Sequence, residues 1–116
     1  MVEDEARSLK RRHLVYYLEV YDDEANELLG HLVDITTSGL KLVSKQRIPA
    51  GRIYRLRMML PEGYFAQKDL YFEAKSMWSS NDINPDFYDT GFSAATVDHD
   101  TKEIIHSLVR RLSFND

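Results

Sequence analysis

The 116-residue sequence has no cysteine and a single tryptophan, and none of its apolar runs approaches the ~20 residues that a membrane-spanning helix needs. The lack of cysteine excludes disulfide bonds, thiolate catalysis and cysteine-ligated zinc, and it fits a reducing compartment. Residues 3–5 are Glu-Asp-Glu, where a secretory signal peptide would be basic, so we expect no signal peptide. We therefore expect a cytoplasmic protein without membrane insertion.

The sequence also lacks an excess of basic residues, since 15 Lys and Arg stand against 19 Asp and Glu and the formal net charge is −4. Bulk DNA or RNA is therefore not expected as a partner, because general nucleic-acid binders usually carry a basic excess. The cations Arg7, Lys10, Arg11 and Arg12 nevertheless form a cluster near the start of the chain. Such a cluster on an acidic chain indicates a small anionic ligand, with a solvated basic segment as the alternative.

Sequence motifs for catalysis and for metal binding are missing as well. The four histidines have no metal-ligand spacing, and no glycine-rich loop opens a helix. Ser38 stands next to Gly39, but no glycine stands two residues before it, so this is not a nucleophile elbow. We expect no enzyme activity, no catalytic residues, no metal site and no cofactor.

The residues that are present predict strands over most of the chain. Hydrophobic residues make up 43% and charged residues 29%, a composition typical of one globular domain. Apolar residues alternate with polar ones, most clearly where Tyr54, Leu56, Met58 and Leu60 share one face. Leu18 and Val20 are likewise expected on the inner face of the first strand. The predicted strands cover residues 13–22, 27–35, 39–44, 52–60, 70–78 and 89–96.

Only the C-terminal part of the chain has helical periodicity, with apolar residues at i, i+4 and i+8 spacings. Asp98 or Asp100 is suited to cap the start of this helix, and Arg110 and Arg111 suit the negative end of its dipole. His106 is expected beside the apolar stripe, in contact with solvent.

Six short antiparallel strands most simply close into a small barrel, because closure removes the exposed strand edges. We therefore predict a mainly β protein, a six-stranded antiparallel barrel followed by one C-terminal α-helix. The chain is expected to be a single domain over residues 1–116. Its expected parts are a flexible arginine segment at 1–12, the barrel at 13–96 and the helix at 98–112.

The junction between the second and third strands has an unusual composition. Asp34-Ile35-Thr36-Thr37-Ser38-Gly39 contains a carboxylate, three hydroxyls and a glycine, whereas a plain hairpin needs only Asn-Gly or Asp-Gly. Upstream, the cationic cluster reads Arg7-Ser8-Leu9-Lys10-Arg11. These two motifs resemble RxxxR and (D/N)xSxxG of the PilZ domain family, bacterial cytoplasmic receptors of cyclic di-GMP. Their order, and a separation that holds one strand, a turn and a second strand, agree with that family.

The resemblance implies a PilZ-like split barrel, cyclic di-GMP as the ligand and a protein partner that receives the signal. Arginine matches a phosphate or the O6/N7 edge of guanine, and Asp34 can accept from guanine N1–H and N2–H₂. Gly39 is expected to allow a positive φ and a close approach of the ligand. Thr36 stands where the family favours serine. The implied ligand residues are Arg7, Lys10, Arg11, Arg12, Asp34, Thr36, Gly39 and Trp78, with Arg7 and Arg11 as the motif pair.

The role of Trp78 is left open between stacking on guanine and packing in the barrel. It is expected to end the fifth strand on the face of Phe72, Ala74 and Ser76. Gly91 is expected to shape the following turn. Two other functions remain as alternatives, a PilZ-like interaction module that binds no nucleotide and a barrel that binds single-stranded nucleic acid, the latter disfavoured by the net charge.

Overall fold

A computed structural model of the chain describes residues 18–94 and 97–112. The arginine segment at 1–12, the predicted start of the first strand at 13–17 and the predicted end of the sixth at 95–96 lie outside the described residues. The elements are β1 (Glu19–Asp22), β2 (Glu27–Thr36), β3 (Gly39–Ser44), β4 (Ile53–Met59), β5 (Asp69–Asn81), β6 (Tyr88–Ser93) and α1 (His99–Leu112).

The six strands form a closed antiparallel barrel in the order β1-β2-β3-β6-β5-β4, followed by one C-terminal helix, as predicted. Every strand in this order is paired with two neighbours, so no strand edge of the barrel is left open.

The barrel interior is built from the side chains that alternate along each strand. The predicted apolar face of β4 is confirmed, because Tyr54, Leu56 and Met58 are all buried, as is Leu60 directly after the strand. Val20 of β1 is completely buried too. Burial of each aliphatic side chain stabilises the fold by about 1.5–3 kcal/mol, so within a regular stretch of strand the period-two alternation decides which face turns inward.

Helix α1 begins directly after Asp98, whose Oδ1 accepts a hydrogen bond from the Thr101 backbone N–H at 2.8 Å. Of the two predicted caps, Asp98 therefore fills the role. Ile105 and Leu108 of the helix are buried in the barrel core, and the helix contacts β2. This contact places α1 beside the end of β2, where the unusual junction lies.

We expect Asp98→Ala to lower the melting temperature at neutral pH. The hydrogen bonds from Thr101 lower the pKa of Asp98. A carboxylate whose pKa is lowered by folding stabilises the protein above its unfolded pKa, and this contribution is lost as the pH falls through the folded pKa. Melting followed by circular dichroism should therefore show the variant and the native protein converging in strong acid.

Asp100→Ala is the matched control, since Asp100 lies in the same first turn. It should cost less stability than Asp98→Ala. A difference between the Asp98 variant and the native protein that stays constant down to strong acid would contradict the capping role.

Candidate functional site

An irregularity in β2 turns the predicted ligand residues outward. The register between β2 and β3 skips Val33, which leaves this residue as a β-bulge. Leu32 and Ile35 therefore both point into the core, whereas Asp34 and Thr36 both lie on the outer surface. In a regular strand Asp34 would share the buried face of Leu32.

A second bulge, in β5, turns Trp78 outward. The register between β5 and β6 shifts at Met77, so Met77 and Trp78 are both exposed, Trp78 by 46%. Phe72, Ala74 and Ser76 are all buried. The prediction that Trp78 shares their face is therefore wrong, because the extra residue breaks the alternation.

Trp78 packs against a glycine of the neighbouring strand. A Cβ atom on Gly91 would lie 2.5 Å from both Nε1 and Cε2 of Trp78, so only glycine leaves room for the indole there. Gly91 lies inside β6 and not in the turn that precedes it, which corrects the expectation for this residue. The prediction that β5 ends at Trp78 is also wrong, since the strand continues to Asn81.

The two bulges bring four residues into one row across four strands. Asp34 lies opposite Lys41, Lys41 opposite Gly91, and Gly91 opposite Trp78. Since neighbouring strands are ~4.8 Å apart, three such spacings separate the backbones of Asp34 and Trp78. We call Asp34, Lys41, Gly91 and Trp78 the outer row.

Thr36 and Gly39 form the end of the β2–β3 hairpin, beside the outer row. The Ser38 N–H donates to Thr36 Oγ1 at 3.2 Å, so the threonine hydroxyl orders the turn. Gly39 has no positive φ; the described glycines with positive φ are Gly51 and Gly63, so that expectation is wrong. Gly39 instead allows two strands, β3 and β6, to lie close together.

The carboxylate of Asp34 is held in place by its own backbone neighbour. Its Oδ1 accepts the Ile35 N–H at 2.9 Å. A carboxylate has about four acceptor sites, so this bond orients the group and leaves capacity for the donors of a ligand.

Two depressions of the surface meet at Asp34 and Thr36. The first, of about 280 Å³, lies along the outer row, and we call it the barrel depression. The second, of about 390 Å³, lies between the hairpin and α1, and we call it the helix depression. The barrel depression is lined by Asp34, Thr36, Gly39, Lys41, Trp78 and Gly91. The helix depression is lined by Asp34, Thr36, Ile105, His106, Val109 and Arg110.

The barrel depression contains every predicted ligand residue that the structure describes. It also contains Lys41 and Gly91, which sequence reasoning missed. The alternation of β3 could have indicated that Lys41 faces outward, but nothing local in the sequence places Gly91 under Trp78. Arg7, Lys10, Arg11 and Arg12 lie outside the described residues.

Charge along the outer row is nearly balanced. Asp34 and Lys41 are the charged residues that line the barrel depression within residues 18–94 and 97–112. Near Lys41, burial followed by a hydrogen bond with Asp82 raises the pKa of Asp89, and the Lys41 ammonium opposes this increase. A ligand with two phosphates would therefore need further cations beyond those of the barrel surface.

A larger groove, of about 750 Å³, contains none of the predicted ligand residues. It lies against the β1–β2 hairpin and the β3–β4 loop, with Leu28, Gln46, Arg47, Arg52 and Phe87 among its lining residues. Residues of this groove therefore serve as controls in tests of ligand binding at the outer row.

Neither a metal cluster nor a spanning helix is found in the described part of the chain. No three His, Asp or Glu side chains come together there in a way that could hold a metal ion. No helix among the described residues has the length and apolar character needed to cross a membrane.

The fold is similar to those of two solved structures. Bacillus subtilis inhibitor of motility (MotI/DgrA) matches with a TM-score of 0.66 and 18% identity, over 84% of this chain and 47% of that chain. The PilZ domain of YcgR from Escherichia coli, solved with c-di-GMP, matches with a TM-score of 0.64 and 14% identity, over 84% of this chain and 81% of that chain. This chain thus spans about half the length of MotI/DgrA.

No protein-family model and no curated protein sequence matches the chain. What the chain shares with these two proteins is therefore the three-dimensional fold. The closed barrel, its strand pairing and the helix that follows show that this chain has the fold of a PilZ domain.

Proposed function

We propose that the chain is a bacterial, cytoplasmic receptor that binds cyclic di-GMP, changes conformation and signals to a protein partner. One observation carries this proposal. Asp34, Thr36 and Gly39, which belong to one motif, and Trp78, which lies far from that motif in the sequence, line one depression on a PilZ-type barrel. The E. coli domain with the same fold was solved with this dinucleotide.

The chemistry of the outer row suits the parts of the ligand. Trp78 offers an exposed indole on which a guanine can stack, and Gly91 leaves the space that the ring occupies. Asp34 supplies the acceptor that guanine N1–H and N2–H₂ require. Lys41 stands between them and supplies a cation for a phosphate.

The balanced charge of the barrel depression gives the arginine segment its role in this proposal. Arg7 and Arg11 would bind phosphate or the O6/N7 edge of guanine with their planar forks, with Lys10 and Arg12 as additional cations. Closure of this segment over the ligand is the proposed conformational change. The partner would recognise the closed form, and no catalytic step or cofactor is involved.

A PilZ-like interaction module that binds no nucleotide is the second candidate. The observation that favours it is the exposure of Met77 and Trp78 side by side on the outer surface, together with exposed Ile53 on the adjacent strand. Exposed apolar residues grouped in this way are typical of protein contact surfaces.

Calorimetric titration of the chain with cyclic di-GMP, GMP and a short single-stranded RNA separates these functions. The receptor proposal expects saturable binding of cyclic di-GMP and much weaker binding of GMP and RNA. The variant with both Arg7→Ala and Arg11→Ala should bind at least about ten-fold more weakly. A heat of binding with RNA alone, or with none of the three compounds, would contradict the receptor proposal.

We expect Trp78→Ala to cost roughly 1–3 kcal/mol of affinity for cyclic di-GMP, because it removes a stacking platform, and Trp78→Phe to cost less. Since Trp78 is the single tryptophan, ligand binding should also change the fluorescence emission of the native protein. Affinity is measured by calorimetry and emission by titration.

Tyr71→Ala is the matched control for this prediction. Tyr71 is a comparably exposed aromatic residue of β5 that does not line the barrel depression. Its loss should leave affinity unchanged. Unchanged emission at saturating ligand, with native affinity in Trp78→Ala, would remove Trp78 from the site.

A further inference from the structure

The helix depression combines an apolar floor with polar walls of opposite charge. Ile35 and Ile105, at its floor, are buried, with exposures of 3% and 1%. Asp34 stands on the wall formed by the barrel, and Arg110 stands on the wall formed by α1. A flat, largely apolar group with donors on one edge and acceptors on another would satisfy all of these surfaces.

The two neighbouring arginines of α1 have different surroundings. Arg110 lines the helix depression together with His106, one helical turn before it. Arg111 instead places its guanidinium carbon 5.9 Å from the ring centroid of Tyr64, and its Nε donates to Ser107 Oγ at 3.3 Å. The general preference for cations at a helix C-terminus applies to both arginines, so it does not explain why Arg110 lines a depression.

Guanine fits this depression better than phosphate does. A phosphate would gain the Arg110 cation but would also face the Asp34 carboxylate and an apolar floor, and both of these are unfavourable for an anion. Guanine presents N1–H and N2–H₂ as donors on one edge and O6 and N7 as acceptors on another. Since an apolar cavity of about 150 Å³ accommodates benzene, the 390 Å³ here provides room for a purine.

We propose that one guanine of the ligand inserts between the β2–β3 hairpin and α1, where Asp34 accepts from N1–H and N2–H₂ and Arg110 donates to O6 and N7. The other guanine stacks on Trp78 in the barrel depression. This inference rests on the proposed function. It makes α1 part of the binding site, so that the ligand bridges the barrel and the helix.

The test compares Arg110→Ala with Arg111→Ala by calorimetric titration with cyclic di-GMP. The Arg110 variant should bind at least about ten-fold more weakly than the native protein. The Arg111 variant should bind as the native protein does. Native affinity in the Arg110 variant, or equal losses in both variants, overturns the inference while the receptor proposal stands. No binding by the native protein overturns both.

Two further measurements keep the result independent of folding. Arg110→Lys retains the charge near the helix end, so its melting temperature should equal that of the native protein. Because lysine lacks the planar fork, this variant should nevertheless bind cyclic di-GMP more weakly than the native protein does. A cyclic dinucleotide made from 7-deazaguanine lacks N7, so it should bind the native protein several-fold more weakly than cyclic di-GMP does. Arg110→Ala has already lost the contact to N7, so it should bind the two dinucleotides with nearly equal affinity. Equal losses in the two proteins would show that Arg110 does not contact the base.

Discussion

Asp34→Ala should weaken cyclic di-GMP binding at least about 100-fold, the largest effect that we expect from a single substitution. The reason is that Asp34 is assigned two charge-assisted hydrogen bonds to guanine, each worth about 1.5–3 kcal/mol. Asp34 also lines both depressions, so its loss affects the two proposed ligand surfaces together. Calorimetry measures the affinity.

The stability of the ligand-free variant is the control, because Asp34 Oδ1 also accepts the Ile35 N–H. Asp34 is exposed, and exposed substitutions usually change stability by less than about 0.5 kcal/mol, so the melting temperature should stay close to native. Asp34→Asn keeps one acceptor oxygen and should retain measurable but weakened binding. A strong loss of stability in Asp34→Ala with binding intact would assign Asp34 to the turn alone.

Gly39→Ala should destabilise the barrel by about 1–3 kcal/mol, the expected cost of forcing an atom into a packed structure. The new Cβ would lie 2.5 Å from the backbone oxygen of Phe92, on the neighbouring strand β6. Because this contact is with backbone, β3 and β6 must separate where the hairpin meets the outer row. The melting temperature should fall by several degrees, and cyclic di-GMP binding should weaken with it.

Gly91→Ala is the matched comparison, since its new Cβ would meet the side chain of Trp78 and not a backbone atom. The indole is half exposed and can tilt away, so the loss of stability should be smaller than for Gly39→Ala. The emission of Trp78 should change even without ligand. Equal stability losses in the two variants, with unchanged emission, would contradict this description of the two glycines.

The barrel and the helix could be predicted because their patterns are local. Alternation with a period of two identified the buried face of β4, and acidic residues before an apolar helical stripe limited the cap to Asp98 or Asp100, of which the structure selects Asp98. Closure of six strands then followed from the cost of open strand edges.

The surroundings of Trp78 could not be predicted because they depend on a bulge. A bulge is defined by two residues of one strand facing one residue of its partner, which is a property of the pairing and not of either strand alone. Extrapolated alternation therefore placed Trp78 on the face of Phe72, Ala74 and Ser76. The same limitation concealed how Asp34 and Thr36 both come to face outward, although their motif had marked them as candidates.

The residues that would complete the candidate site come from other strands and from the helix. Lys41, Gly91 and Arg110 belong to none of the recognised motifs, and only the register and the packing of α1 bring them beside Asp34. Short motifs thus indicated one side of the site, while its opposite walls required long-range contacts.

A nuclear magnetic resonance titration of the ¹⁵N-labelled chain with cyclic di-GMP would locate the ligand on the barrel, because it reports every part of the barrel at once. We expect the indole Nε1–H of Trp78 and the backbone amides of Lys41 and Gly91 to shift together and saturate. The amides of Leu28 and Gln46, in the larger groove, should not move. Saturating shifts confined to that groove, or no shifts along the outer row, would show that the ligand does not bind at the outer row.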